Sequence, residues 1–545
     1  MRGMATFRCG EDDSGAEGEM AAIELPAQPF DVEGARTTLF QALLAAVARH
    51  GKGRIALEDS ERKPLSYGNL VLGALVLGRK LAGLTRPGEK VGLMLPNVQG
   101  MAVTLLGLSA YGRVPALLNF TAGLKNLTAA CEIGPIATIV TSRRFIDQAK
   151  LDDVVEALLP GRRVIYLEDV RKELTSLDKA LGALASLVPG MVHARHAAKA
   201  DDPAVVLFTS GTEGKPKGVV LSHANLVSNA RQIFQLAAGF LSERDIVMNP
   251  LPAFHSFGLT AALLMPLIHG MKVVLYPTPL HYKQVPKLIG ETGATFLFAT
   301  DTFLQGYARA ADEGDLKSVR YVVAGAERVK PETRRLWAPY GTTILEGYGC
   351  TECSPVLACN TPTAMREGTV GRLLPGITAR LEPVEGIPEG GRLCVSGPNV
   401  MLGYLNADNP GAIVPSEGGW HDTGDIVSID DGFVAIKGRA KRFAKLGGEM
   451  VSLAAVESMV AGLWPGHNHV VVALPDLRKG EQLVLVTEKP DAEKKALQDE
   501  AKRQGFPELW LPKAILVTGS IPVLGNGKID YGGTRELAIT MRPLL

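Results

Sequence analysis

The sequence predicts an α/β protein in which a large N-terminal part precedes a smaller α+β unit. Three observations carry that expectation. At 545 residues the chain exceeds what one hydrophobic core organises, so at least two folding units are expected. Short apolar runs alternate with helical patterns along most of the chain, as in parallel sheets covered on both faces. Finally, residues 437–448 are basic and glycine-bearing between two apolar patterns, the composition of a linker.

Composition narrows the function classes. The 58 basic and 57 acidic residues cancel, which leaves no global field for nucleic acid. Six cysteines, Cys9, Cys131, Cys350, Cys353, Cys359 and Cys394, follow no disulfide framework, and a reducing cytosol accounts for them. Cys350 and Cys353 form one C-x-x-C with no second pair or histidine cluster nearby in sequence, so no zinc is expected there. The N-terminus lacks the apolar stretch of a signal peptide. Residues 257–276 come nearest to a membrane span, but Pro266, His269, Gly270 and Lys272 interrupt them; a buried helix, a turn and a strand are expected instead.

In chain order, residues 1–31 read as a disordered tail. A helix over 39–49, a strand over 55–60 and an amphipathic helix over 67–84 follow. Next come a strand over 90–95, a helix over 99–111, and short strands at 114–118 and 137–141. Residues 178–202 read as a connector. His196 and Asp201 inside it show an H-x-x-x-x-D spacing, which ten histidines supply about half the time by chance.

The connector leads into AVVLFTSGTEGKPKGVVLSHAN, residues 204–225. An apolar run of strand length ends in a loop of hydroxyls and glycines, Thr209, Ser210, Gly211, Thr212 and Gly214, with Lys215 and Lys217 beside it. Glycines let backbone N–H groups close on phosphate oxygens, and lysines supply compact positive charge. No Walker A string threads the loop. Its residue order resembles the phosphate loop of the adenylate-forming superfamily, which contains acyl-CoA and acyl-carrier-protein synthetases, luciferases and peptide-synthetase adenylation domains.

The resemblance implies a large domain of stacked α/β sheets with a small β subdomain over 32–438, a hinge over 439–442 at Lys441, and a mobile α+β domain over 443–545. By position alone, Lys441 is better read as a solvated linker charge. Ser222 is a plausible N-cap for a helix over 224–236. In NPLPAFHSFGL, residues 249–259, His255 sits between aromatics; it is either a packing histidine or, by the resemblance, a lining residue at the carboxylate end of an acyl pocket.

Further motifs extend the likeness. In YVVAGAER, residues 321–328, Gly325 and Ala326 are small enough for a flat base to lie against backbone, although Ala324 stands where the family has glycine. In LEGYGCTE, residues 345–352, Glu346, Gly347 and Tyr348 offer a second wall for adenine and Thr351 can donate to the α-phosphate. Glu352 there is a hard oxygen ligand for Mg²⁺. Asp425 in WHDTGD can accept from both ribose hydroxyls. Arg439 in IKGR is expected on the ribose or phosphate. Lys528 in IPVLGNGKID matches the family's mobile lysine, and with Thr209, Glu352 and His255 it completes the expected catalytic set.

The residues around His255 include no acid to pair with an α-amino group, which disfavours an amino-acid substrate. Apolar stretches at 257–267 and 295–304 could line an alkyl tunnel or simply be core. ERKPLSYGNLVLGALVLGRKLA (61–82) and GRAKRFAKLGGEMVSL (438–453) resemble the synthetase half of bacterial bifunctional 2-acylglycerophosphoethanolamine acyltransferase/acyl-carrier-protein synthetases. This implies ATP- and Mg²⁺-dependent activation of a fatty acid to acyl-AMP, then transfer to acyl carrier protein. A fatty-acyl-CoA ligase and a catalytically silent scaffold are the alternatives. The acyltransferase domain of those proteins has no counterpart here, so delivery to a lysophospholipid would need a separate acyltransferase. The expected setting is cytoplasmic, compatible with peripheral contact at the inner membrane.

Overall fold

The structure is a computed structural model that describes residues 22–210, 216–385, 387–446, 449–476, 480–523 and 529–541. Three sheets organise it, with seven, fourteen and five strands.

The seven-stranded sheet is built on the apolar runs seen in the sequence. Lys90–Leu93 pairs in parallel with Val114–Leu117 on one side and Thr138–Thr141 on the other. Val114–Leu117 pairs in parallel with Pro203–Ser210. Pro216–Ser222 then turns back antiparallel, and Gly403–Leu405 adds the edge strand. Helices Tyr67–Ala82 and Gln99–Ala110 cover one face and cross closely at two glycines. A Cβ on Gly78 would lie 2.4 Å from the Gly107 carbonyl oxygen, so any larger residue forces the helices apart.

The fourteen-stranded sheet changes character halfway. Ile55–Asp59, Lys272–Leu275, Ile246–Asn249, Phe296–Ala299 and Tyr321–Ala324 are neighbours in parallel. Thr343–Gly349 continues them with its first half and pairs antiparallel with Val356–Cys359 through its second. The remaining strands form the antiparallel portion. Glu346 to Gly349 therefore sit where the sheet reverses its direction, the kind of place where α/β sheets open a crevice.

The five-stranded sheet draws only on residues after Arg442, and two hydrophobic clusters built from the same stretch give it its own core. Helices Leu453–Leu463, Lys494–Gln504 and Tyr531–Met541 accompany it.

Two expectations need correction. Residues 22–31, read as part of a disordered tail, are attached: Ile23–Leu25 pairs antiparallel with Thr378–Val384, and Gly376 N–H donates to the Gln28 carbonyl at 2.9 Å. A three-residue edge strand is too short to show a period of two, which is why the sequence hides it. Residues 1–21 of the expected tail lie outside the described residues. The connector carries helices Ser176–Ala185 and Pro189–Ala194, the first opened by a Thr175–Asp178 capping box. Asp201 in that connector pairs with Arg36 at 2.5 Å, and the His196 ring lies 5.0 Å from that of Tyr111. Among the described residues no helix is long and apolar enough to cross a membrane.

Candidate functional site

The hairpin formed by Pro203–Ser210 and Pro216–Ser222 supplies the first wall. Its inner strand is buried from Ala204 to Leu207, and Thr209 stands opposite Lys217 in the ladder. Helix His223–Ala237 starts directly behind it, held by a capping box between Ser222 and Asn225 that contributes about 1 kcal/mol. Ser210 is paired with Pro216 through its backbone; Gly211, Thr212, Gly214 and Lys215 lie outside the described residues.

Lys217 leads to the second wall. Its Nζ stands 5.2 Å over the Tyr404 ring, a cation–π contact worth about 0.5–1 kcal/mol where solvent reaches it. Tyr404 lies on the next strand and its hydroxyl donates to Glu352 Oε1 at 2.7 Å. Met401 N–H donates to the Glu352 carbonyl at 2.8 Å, so side chain and backbone of Glu352 are both fixed from the 401–404 segment. One Glu352 oxygen is thereby engaged by a hydroxyl while the carboxylate keeps lone pairs for another ligand.

The turn bearing Glu352 is sterically determined. Thr351–Cys353 forms a single 3₁₀ turn after Gly349, where a Cβ would lie 1.9 Å from the Pro355 carbonyl oxygen. Only glycine fits that approach. Ser256 Oγ donates to Thr351 Oγ1 at 3.4 Å, which brings the segment after Phe254 to the same turn. His255 is exposed and meets the Phe254 ring edge-on with centroids 4.8 Å apart. His255 is therefore not a fully buried core residue.

Asp425 forms the third part. It is 3 % exposed, accepts from the Tyr348 hydroxyl at 2.6 Å on Oδ2, and pairs through Oδ1 with Arg439 Nε at 3.1 Å. Burial raises its pKa above the ordinary carboxylate value, and Arg439 and the Tyr348 hydrogen bond oppose that shift without cancelling it. The Tyr348 phenol is pushed well up, first by burial and then by the charge of Asp425.

The remaining expected residues gather around Tyr348. Ala324 pairs with Glu346 across neighbouring strands, which sets Gly325 and Ala326 beside the 346–348 segment. Ala326 has φ of 66°, and a Cβ on Gly325 would lie 3.2 Å from the Phe257 ring. Glu346 turns its carboxylate elsewhere: Arg334 donates to Oε1 at 2.5 Å and Val329 N–H to Oε2 at 3.3 Å. Its side chain is held by Arg334 and the Val329 N–H of the 325–330 turn. Lys441 is exposed on the Ala440–Arg442 turn between the two parts of the chain, and Lys528 lies outside the described residues.

Three participants were not singled out from sequence. Tyr404 holds the expected Mg²⁺ ligand Glu352, Ser256 holds the expected phosphate donor Thr351, and a ring nitrogen of His421 lies within 4.8 Å of the Cys350 thiol. No spacing rule links Tyr404 to Glu352 or His421 to Cys350, since each pair joins a strand to the turn at 350–353 only in the folded chain.

Known proteins resemble this chain along most of its length. The AMP-binding enzyme family matches residues 43–405. A feruloyl-CoA synthase of Amycolatopsis is 28 % identical over 507 residues, covering 90 % of this chain and 96 % of that protein. A long-chain-fatty-acid–CoA ligase of Salmonella typhimurium is 26 % identical over 480 residues, covering 82 % and 84 %. ATP-bound MatB from Rhodopseudomonas palustris shares the fold with a TM-score of 0.75 at 24 % identity, covering 93 % of this chain and 99 % of that one.

Proposed function

The chain belongs to the AMP-binding enzyme family, and from that premise we propose that it activates a fatty acid with ATP and passes the acyl group to a phosphopantetheine thiol. The observation that carries this reading is the convergence of Thr209, Lys217, Glu352, Tyr348 and Asp425 through the contacts Lys217–Tyr404–Glu352 and Tyr348–Asp425. A free carboxylate is a poor electrophile because its charge repels nucleophiles and its leaving group would be oxide. Bonding of a carboxylate oxygen to the α-phosphorus, with departure of pyrophosphate, replaces that leaving group with AMP. The protein then contributes positioning and charge neutralisation rather than a nucleophile.

Each residue has a task in that scheme. Residues 209–217 hold the β- and γ-phosphates, Tyr348 and the 324–326 backbone take the base, and Asp425 with Arg439 takes the ribose. Glu352 would hold Mg²⁺, which neutralises phosphate charge when bound; a carboxylate with one oxygen fixed by Tyr404 suits a hard cation. His255 lines the acid end of the acyl pocket, and Lys528 reaches the reacting carboxylate. Lys441 is the hinge about which the part after Arg442 turns between the two half-reactions.

The acceptor thiol is carried by CoA or by acyl carrier protein. The named functions of the relatives favour CoA, and the wording of residues 61–82 and 438–453 favours the carrier protein. If the carrier protein is the acceptor, a separate acyltransferase hands the chain to a lysophospholipid, and peripheral contact with a membrane surface would serve that delivery. Pyrophosphate release measured over aliphatic acids of graded length and over aryl acids, with CoA and carrier protein as competing acceptors, tests the proposal. ATP-dependent release with long aliphatic acids is expected; release with aryl acids alone, or none with any acid, sinks it.

A further inference from the structure

A thiol cluster stands beside the site that the adenylation scheme does not use. Cys350 and Cys353 bracket the Thr351–Glu352 turn, and His421 reaches them from the start of strand His421–Asp430. One ligand atom from each of the three lies within 4.8 Å of the others, the only such grouping of three among the described residues. Cys353 is fully buried, His421 is buried and Cys350 is half-buried, so the cluster is enclosed on the protein side and approachable at Cys350.

We propose that Cys350, Cys353 and His421 form a zinc site that clamps the turn carrying Glu352 to the strand carrying Asp425. Two thiolates and an imidazole are the donor set that borderline-soft Zn²⁺ prefers, and a water completes four-coordination. Metal–sulfur bonds of about 2.3 Å span tetrahedral edges of roughly 3.8 Å, so a separation of at most 4.8 Å closes with side-chain rotation and small backbone shifts. Oxygen-preferring Mg²⁺ has no claim on these sulfurs, which keeps the site distinct from Glu352. The site lets zinc act on the protein at a place other than substrate: an occupied clamp holds Thr351 and Glu352 in one position.

The test reads metal binding directly and does not depend on the adenylation reading. Co²⁺ added to the reduced full-length protein gives a thiolate-to-cobalt charge-transfer absorption that saturates at one equivalent, and Zn²⁺, having a filled d shell, abolishes it. Cys350→Ser and His421→Asn each weaken zinc binding by roughly 100-fold, at least what loss of a mere outer-shell partner can cost. A measurement on the wild-type chain stands independently of how the variants fold. Saturating zinc slows alkylation of Cys350 by about 10-fold or more, because the coordinated thiolate is no longer a free nucleophile. Cys359, half-buried with its thiol on the Asn360 carbonyl at 3.2 Å, alkylates at the same rate with and without zinc. Absence of the charge-transfer band in the wild type, its full retention in Cys350→Ser, or unchanged Cys350 alkylation overturns the proposal.

Discussion

Arg439 and Arg442 are three residues apart and make opposite kinds of ion pair. Arg439 has a side chain 60 % exposed and reaches back to the buried Asp425 of the large sheet. Arg442 is sealed on the other side: it and Glu457 are each 15 % exposed, its guanidinium lies 3.9 Å over the Tyr531 ring, and Nη1 donates to the Val471 carbonyl at 3.1 Å. Glu457 also accepts from Val471 N–H at 2.7 Å. One arginine can leave its acid by swinging into water. The other has no such route, because its own guanidinium is buried between Glu457 and the Tyr531 ring. A pair built like the first can trade its partner for a ligand, whereas a pair built like the second fixes a domain.

The largest expected effect lies on the sealed side. Arg442→Ala strands Glu457 and should cost about 3–5 kcal/mol, read by denaturant unfolding through Trp464 and Trp510 in the C-terminal unit. A loss below about 1 kcal/mol would put this pair in the class of surface bridges and dissolve the contrast.

Asp425→Asn should act in opposite directions on binding and on stability. Losing a charged acceptor for the ribose costs about 1.5–3 kcal/mol, a rise in KM for ATP of roughly 10- to 100-fold. Because burial raises the Asp425 pKa, the folded chain holds this proton more tightly than the unfolded chain does. Its contribution is thus most favourable below the unfolded value and is lost as pH rises through that value toward the raised one. Thermal unfolding should show Asp425→Asn more stable than wild type at neutral pH, the gain vanishing below about pH 4. A gain that grows on acidification would refute the assignment of burial as the leading cause.

Tyr404→Phe removes one neutral donor from Glu352 and should cost about 0.5–1.5 kcal/mol, appearing as a higher Mg²⁺ requirement for pyrophosphate release. Arg439→Ala leaves the buried Asp425 to the Tyr348 hydroxyl alone and should cost less stability than Arg442→Ala, while still raising KM for ATP. If it unfolds the protein as Arg442→Ala does, the two pairs are equivalent after all.

Much of this site was legible because its chemistry is written in contiguous words. Glu352, Tyr348 and Asp425 could be picked by residue type within short motifs, although the strand that carries Tyr348 shows no apolar run. What stayed hidden depends on sheet neighbours. Tyr404 reaches Glu352 only because Gly403–Leu405 is laid beside Pro216–Ser222. His421 comes near Cys350 only through the fold, 71 residues further along the chain, which is why a lone C-x-x-C gave no reason to expect metal. Glu346 was legible as a wall residue, yet the direction of its carboxylate follows from Arg334, which no motif marks. The edge strand Ile23–Leu25 is too short to leave a pattern.

The 2.6 Å bond between the Tyr348 hydroxyl and Asp425 makes one clasp out of two recognition tasks. The ring that would flank the base is steered by the same carboxylate that would greet the sugar. A nucleotide lacking its 2′-hydroxyl therefore disturbs the fit of its purine as well, and discrimination between ribo- and deoxyribonucleotides should exceed what one missing contact explains.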